Sequence, residues 1–515
     1  MSEDITSTGP VNRGDSRWSV GRILDEIGLV SLWETGPDSW LVLISRTTRM
    51  FAYGSNGIFI ALFFSELGFS DFKIGLFMTL TLFGDVFLTI LLTLIADNYL
   101  GRRNILKFGS IMMILSGLVF IYFENYYILL FASIIGIISA TGGDFGPFRA
   151  IEESILSYIT TTTNKKNSKI RSNVLSWYVV TSALGSAIGT ELSGKLVNYL
   201  SQKPNWNNIR AYHTMFWLYV INGTIGLICI LLLSDRTEVN PNVNGKQQLK
   251  DEEDSEIIEN QRLLNEDQDD DDDNDGNRKS NSSTIENIPL SSTSTINPPT
   301  TTPNGDTISS RSDSKWSSRL SQISQQTRSV MFKLWPLLAV DTLADGMVGY
   351  ALTTYYLSLK YKLSNSLLGD ITSISYFLAA ISSIAAGPLA NHLGLINTMV
   401  FTHIPSSAAV LLFPLPSENN LVLTIILFFI RTGLNNMDQA PRAAFIAAVV
   451  PTNELTAVNG ITSTLRTLSS TVGPTITGWL AQGENFWIAF VAAGSLRLAY
   501  DFGLWALFVN MKINQ

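Results

Sequence analysis

The sequence predicts an all-α membrane protein: twelve transmembrane helices in two pseudo-symmetric six-helix bundles. Three observations predict it. First, apolar runs long enough to cross a hydrocarbon core of about 30 Å recur on either side of a polar insert. Second, charge is scarce, at 15% of residues, and concentrated in that insert. Third, short signatures at the ends of the runs repeat between the two sides.

The spans before the insert read as 46–67, 74–97, 103–123, 127–147, 173–200 and 212–234. Those after it read as 332–357, 366–390, 396–415, 421–440, 455–480 and 486–510. The chain thus divides into an N-terminal segment (1–45), a first bundle (46–235), an acidic Ser/Thr-rich loop (236–330) and a second bundle (331–515). Lys and Arg set the orientation. Arg46, Arg49, Arg102, Arg103, Lys107, Lys165, Lys166, Lys169 and Arg171 mark one side; Lys203, Arg210, Lys360 and Lys362 mark the other more sparsely. The bias places both termini and the insert in the cytoplasm. No basic segment with a short apolar core and cleavage site opens the chain, so the first span is expected to be retained.

Composition excludes several classes. The single Cys229 permits no intramolecular disulfide. His213, His392 and His403 are scattered without metal-ligand spacing, so neither metal nor cofactor is expected. There is no glycine-rich phosphate loop with its lysine and no nucleophile–base arrangement, which argues against an ATP-driven pump and against an enzyme. No basic face with interleaved aromatics points to nucleic acid. The net charge of −8 owes much to Asp269–Asp273 and their neighbours, and describes the insert rather than an acidic binding surface.

The repeat is specific in order. Asp144-Phe145-Gly146-Pro147 matches Asp438-Gln439-Ala440-Pro441. Gly189 and Gly194 match Gly473 and Gly478, and Ala96-Asp97 before Gly101 matches Ala390-Asn391 before Gly394. Two such halves can rock about a shared cavity and expose it alternately to each side.

Asp97-Asn98-Tyr99-Leu100-Gly101-Arg102-Arg103 resembles the signature loop of the major facilitator superfamily: an acid, a glycine and a basic pair between the second and third spans. One extra residue precedes the glycine, and Thr93 stands where a glycine usually precedes the acid. The resemblance covers both apolar halves and not the insert. Arg49 with Phe51-Ala52-Tyr53-Gly54, Leu82-Phe83-Gly84-Asp85 and Tyr500-Asp501 are similar to a poorly characterised bacterial and fungal branch of the superfamily. The resemblance implies a transporter of a small solute working by alternating access. It also implies that Asp97, Gly101, Arg102 and Arg103 form a gating loop, latching the halves on the cytoplasmic side through carboxylate–guanidinium pairs that form and release. The bland alternative is that Arg102 and Arg103 only obey the positive-inside bias.

Asp85 is the candidate for proton coupling. A mid-span carboxylate is costly unless paired, protonated or facing a wet cavity. Its alternative is a structural carboxyl bonded to a neighbouring helix. The resemblance makes the first, fourth, seventh and tenth spans line the cavity, which brings forward Tyr53, Asn56, Asp144, Arg149, Asp345, Arg431 and Asp438 as substrate-facing, with Arg466 expected to reach Asp438. Helix–helix adhesion is the competing role for each, and for Glu191 and Asp341. Arg497 and Asp501, one turn apart, are expected to pair within their own helix. Gly185, Gly189, Gly194, Gly473, Pro474 and Gly478 resemble a fifth-span antiporter motif, with Thr190 where proline is expected; close helix packing explains them as well.

The insert is expected to be disordered, since it cannot bury a core. Glu259 with Leu263-Leu264 has the form of an acidic dileucine sorting signal, which would bring sorting adaptors and a vacuole- or lysosome-like membrane; the plasma membrane is the other location. The expected partners are a small-molecule solute, protons and the lipid bilayer, with the chain a monomer. Two rivals stay open: an uncoupled facilitator, and a transporter-like nutrient sensor signalling through the insert.

Overall fold

The structure, a computed structural model, describes residues 29–95, 101–136, 147–163, 168–238 and 324–509. Among these residues there is helix and no strand. Both apolar halves belong to one compact unit, residues 1–238 and 322–515, distinct from 239–321.

In the first half a short α1 (Leu29–Glu34) leads into α2 (Pro37–Glu66). There follow α3 (Asp71–Ile95), α4 (Arg102–Tyr122), α5 (Tyr126–Gly136), α6 (Pro147–Thr163), α7 (Ser168–Ser201) and α8 (Asn208–Leu231). In the second half α9 (Gln325–Met347) and α10 (Tyr350–Tyr361) together make the seventh span. Then come α11 (Asn365–Leu393), α12 (Leu395–Leu412), α13 (Leu421–Asn435), α14 (Gln439–Val449), α15 (Thr452–Leu480) and α16 (Phe486–Phe508).

Six described helices are long and apolar enough to cross a membrane by composition alone: α3, α4, α8, α11, α12 and the α13–α14 pair. Helices such as α2 fall short because they sit inside the bundle, where polar and charged side chains find partners instead of lipid. α2 buries Asp38, Arg46 and Arg49 together with its apolar residues.

The duplication is visible in the backbone. Gly101 and Gly394 precede α4 and α12 with φ of 76° and 84°, a region that L side chains avoid. Gly54 lies against the Ser186 carbonyl between α2 and α7; Gly346 lies against the Ser470 carbonyl between α9 and α15.

Three departures from the predicted spans matter. α2 begins nine residues before Arg46, so Arg46 and Arg49 lie inside the helix, buried, rather than at its start. α6 carries helix from Pro147 on to Thr163, so helical structure continues beyond the predicted end of the fourth span. The seventh and tenth spans are interrupted, at Val348–Gly349 and at a 3-10 turn over Asn436–Asp438. A break at membrane depth is tolerated only where protein or water satisfies the freed backbone groups.

The halves meet along the face that carries the 66–71, 201–208 and 361–365 connections, through α3 against α15, α7 against α11 and α2 against α10. A methyl at Gly194 would come within 2.8 Å of the Gly369 Cα, and one at Gly478 within 3.1 Å of the Gly75 Cα. In lipid there is no hydrophobic force to draw helices together, so such small-residue contacts decide how closely they pack. Thr475 donates to Thr79 (2.7 Å), and the Tyr355 hydroxyl donates to Asp71 (2.7 Å) across the same seam.

On the opposite face, carboxylates hold the chain at both ends of the insert. Asp38 of α2 accepts from the Ser234 N–H (2.9 Å) and hydroxyl (2.5 Å). Glu238 accepts from the Arg102 and Arg103 N–H groups (2.9 and 3.0 Å), capping α4. Glu454 of α15 accepts from the Ser324 N–H (3.0 Å).

Candidate functional site

Ionisable side chains gather in the core of each half. In the first, Arg49 of α2 makes a two-pronged pair with Glu152 of α6 (2.7 and 2.6 Å). The Tyr178 hydroxyl donates to the same carboxylate (2.9 Å), and the Phe148 ring lies 4.4 Å from the guanidinium. Arg46 stacks over Tyr178 at 4.2 Å. A planar guanidinium matches a carboxylate along two parallel bonds, which makes this a strong and directional contact. Tyr53 stacks on Tyr219 (6.4 Å), and Tyr219 lies within electrostatic reach of Asp85 and Arg49. Asp85 is buried on α3, as expected of a mid-span carboxylate. Asn56 is fully buried, and its amide has no hydrogen-bond partner among the described residues.

In the second half the network is longer. Arg497 of α16, the largest fully buried side chain of the described residues, donates to Asp345 of α9 (2.8 Å) and to the Nε2 of His403 on α12 (2.7 Å). It also bonds Asn435 at the end of α13. His403 Nδ1 donates to Asp501 (2.6 Å), which accepts from Ser407 as well (2.7 Å). Asp345 is the outward end of this chain, with one third of its side chain exposed.

Several expectations are corrected by this geometry. Arg497 and Asp501 do not pair with each other: each faces a better partner on another helix. Asp438 pairs with Arg442, one turn on, rather than with Arg466, whose Nε has no hydrogen-bond partner among the described residues. Arg431 is buried and donates to the Val348 carbonyl and Thr353 hydroxyl (2.8 Å for the latter), so it satisfies the broken seventh span. Arg149 is half exposed and pairs with Glu153 (2.8 Å). Glu191 pairs with Lys195 on its own helix. Gly185 and Gly189 pack on the α2 backbone at Thr47 and Phe51, Gly473 packs on Gly346, and the Pro474 carbonyl is where Gly75 approaches. Asp97, Asp144, Glu259, Leu263 and Leu264 lie outside the described residues.

The Major Facilitator Superfamily profile matches residues 42–266 and 334–512, which takes in both halves. The chain belongs to this superfamily. It is 28% identical over 477 residues to an uncharacterized membrane protein of Saccharomyces cerevisiae, covering 92% of this chain and 94% of that one. Among solved structures it resembles the nucleoside transporter NupG, with a TM-score of 0.60 at 10% identity over 93% of this chain and 100% of that chain. It also resembles a D-xylose–proton symporter, with a TM-score of 0.58 at 12% identity over 91% and 97%. The shared architecture is the twelve-helix, two-bundle fold, and a facilitator-type membrane transporter is not an enzyme.

In this facilitator the described part of the signature loop is anchored to its own half. Arg103 donates to the Leu231 carbonyl (2.6 Å) and pairs with Asp235 (3.2 Å), while the Arg102 guanidinium lies 5.9 Å from the Tyr158 ring. Glu152 and His403 were not legible as site residues. Glu152 lies beyond the proline taken to end the fourth span, and His403 is a lone histidine whose partners are some 60 to 100 positions away in the chain. Asp341, His403 and Asp438 bring ligand atoms within 4.8 Å of one another, a spacing that a metal could use. Arg442 on Asp438 and Arg497 on His403 already occupy those lone pairs, and two guanidinium charges oppose a cation there. An exposed apolar groove on α13, lined by Ile426, Phe429, Ile430, Gly433 and Leu434, lies on none of these charged groups.

Proposed function

We propose that this facilitator moves a small polar or charged solute by alternating access, coupled to protons, with both termini in the cytoplasm. The observation that carries this reading is Asp345: a partly exposed carboxylate beside the break in the seventh span, backed by the fully buried Arg497. A charge pair that is half open and half buried can exchange its internal partner for a solute or for a proton, at modest cost. Asp85 is the corresponding ionisable candidate in the first half.

The seam through Gly75–Gly478 and Gly194–Gly369 supports alternation, because it closes one face. With cytoplasmic termini that face is the outer one. Cross-linking Thr79→Cys to Thr475→Cys in a Cys229→Ser chain is expected to stop solute flux, and reduction is expected to restore it. Undiminished flux through the cross-linked protein would remove alternating access.

The deciding experiment is uptake of a solute library by purified protein in liposomes, with and without an imposed pH gradient, for wild type, Asp85→Asn and Asp345→Asn. Gradient-stimulated flux lost in either variant supports coupling through that carboxylate. Flux indifferent to the gradient would leave an uncoupled facilitator; specific solute binding with no flux would leave a sensor.

A further inference from the structure

His403 sits where its two ring nitrogens have different fates. Asp501 and the Ser407 hydroxyl hold the Nδ1 side. Arginine can only donate, so the Nε2 that receives the Arg497 guanidinium must present a lone pair, and the ring is neutral with its proton on Nδ1. Beyond that same Nε2, at 3.6 Å, is Oδ1 of Asp341, one turn before Asp345 on α9. Asp341 is 2% exposed, and this oxygen has no hydrogen-bond partner among the described residues. A buried acceptor without a donor is expensive, and Nε2 would become a donor within reach of it on gaining a proton.

We infer that His403 and Asp341 form a proton-binding site switched by Arg497, an inference that deepens the coupled-transport reading and rests on it for its role in transport. A proton from water in the cavity adds to the Nε2 lone pair. The Arg497–Nε2 hydrogen bond breaks, and the new N–H is donated to Asp341 Oδ1. The ring then bridges two carboxylates, Asp501 and Asp341, and Arg497 is left to Asp345, Asn435 and the Ser406 hydroxyl. Loss of the proton reverses each step. The charged and titratable groups around the ring are Asp341 and Asp345 from α9, Asp438 with Arg442 from the tenth span, and Arg497, Tyr500 and Asp501 from α16, with Arg466 of α15 near Asp438. Protonation therefore changes what Arg497 offers to Asp345, whose side chain is one third exposed.

The test uses the full chain labelled with nitrogen-15 histidine in lipid nanodiscs, with His213→Gln and His392→Asn leaving His403 as the sole histidine. Ring nitrogen chemical shifts report tautomer and protonation directly and need no solute. The expected result is an Nδ1–H ring at alkaline pH that becomes doubly protonated on acidification. In Asp341→Asn the doubly protonated fraction at a fixed mildly acidic pH is expected to fall by about tenfold, since one counter-charge is lost. A ring that stays singly protonated wherever the protein remains folded overturns the site, as does a titration that Asp341→Asn leaves unchanged. If the ring titrates as stated while liposome flux ignores the pH gradient, the site stands and the coupled-transport reading fails.

Discussion

The two halves share a backbone plan and fill it with different chemistry. Gly54 and Gly346 hold equivalent places against the fifth and eleventh spans, so Tyr53 of the first half corresponds to Asp345 of the second. In the first half Tyr53 stacks on Tyr219 of α8; in the second, Asp345 pairs with Arg497 of α16. The first half's own ion pair, Arg49 with Glu152, is matched prong for prong and braced by Tyr178. The second half's charges are shared, with one guanidinium serving Asp345, His403 and Asn435. A matched pair has one good arrangement; a shared one has several of similar energy. We therefore propose the first half as the scaffold and the second as the working half.

That contrast can be broken by substitution. The largest effect is expected for Glu152→Gln, which strands a buried guanidinium: a loss of about 3–5 kcal/mol, read by denaturant or thermal unfolding in detergent. Asp345→Asn is expected to cost about 1–2 kcal/mol in the same assay, because water, His403 and Asn435 remain for Arg497, while it removes most gradient-driven flux. Equal destabilisation by the two would erase the distinction between scaffold and working half. Tyr53→Phe, which keeps the ring stacked on Tyr219, is expected to change stability by less than about 1 kcal/mol and leave flux intact. Smallest and most salt-sensitive is Glu238→Gln, which weakens the cap on α4 by about 0.5–1 kcal/mol and is expected to fade as ionic strength rises.

The spans were legible because a bilayer sets their length and apolarity. The charges were legible as exceptions, and their partners were not. Arg497 and Asp501 read as a pair on helical spacing alone, yet each is fully buried and bonds to another helix, Arg497 to Asp345 and Asp501 to His403. Arg431 looked like a solute ligand because it lies on the tenth span. Its role follows from the break at Val348–Gly349, which only the fold reveals. Pro147 was read as a stop, yet helix continues after it to Thr163, and so Glu152, three residues beyond the Arg149 that was noticed, escaped attention.

Asp38, Glu238 and Glu454 fasten the two ends of the central insert, one end to each half. The chain between Glu238 and Ser324 has a contour length of about 300 Å, against about 45 Å for a helix the size of α2. The covalent length of the insert therefore does not by itself limit how far the bundles rock. Its anchors matter for another reason: they stop whatever binds the insert from peeling back the helix ends to which it is sewn.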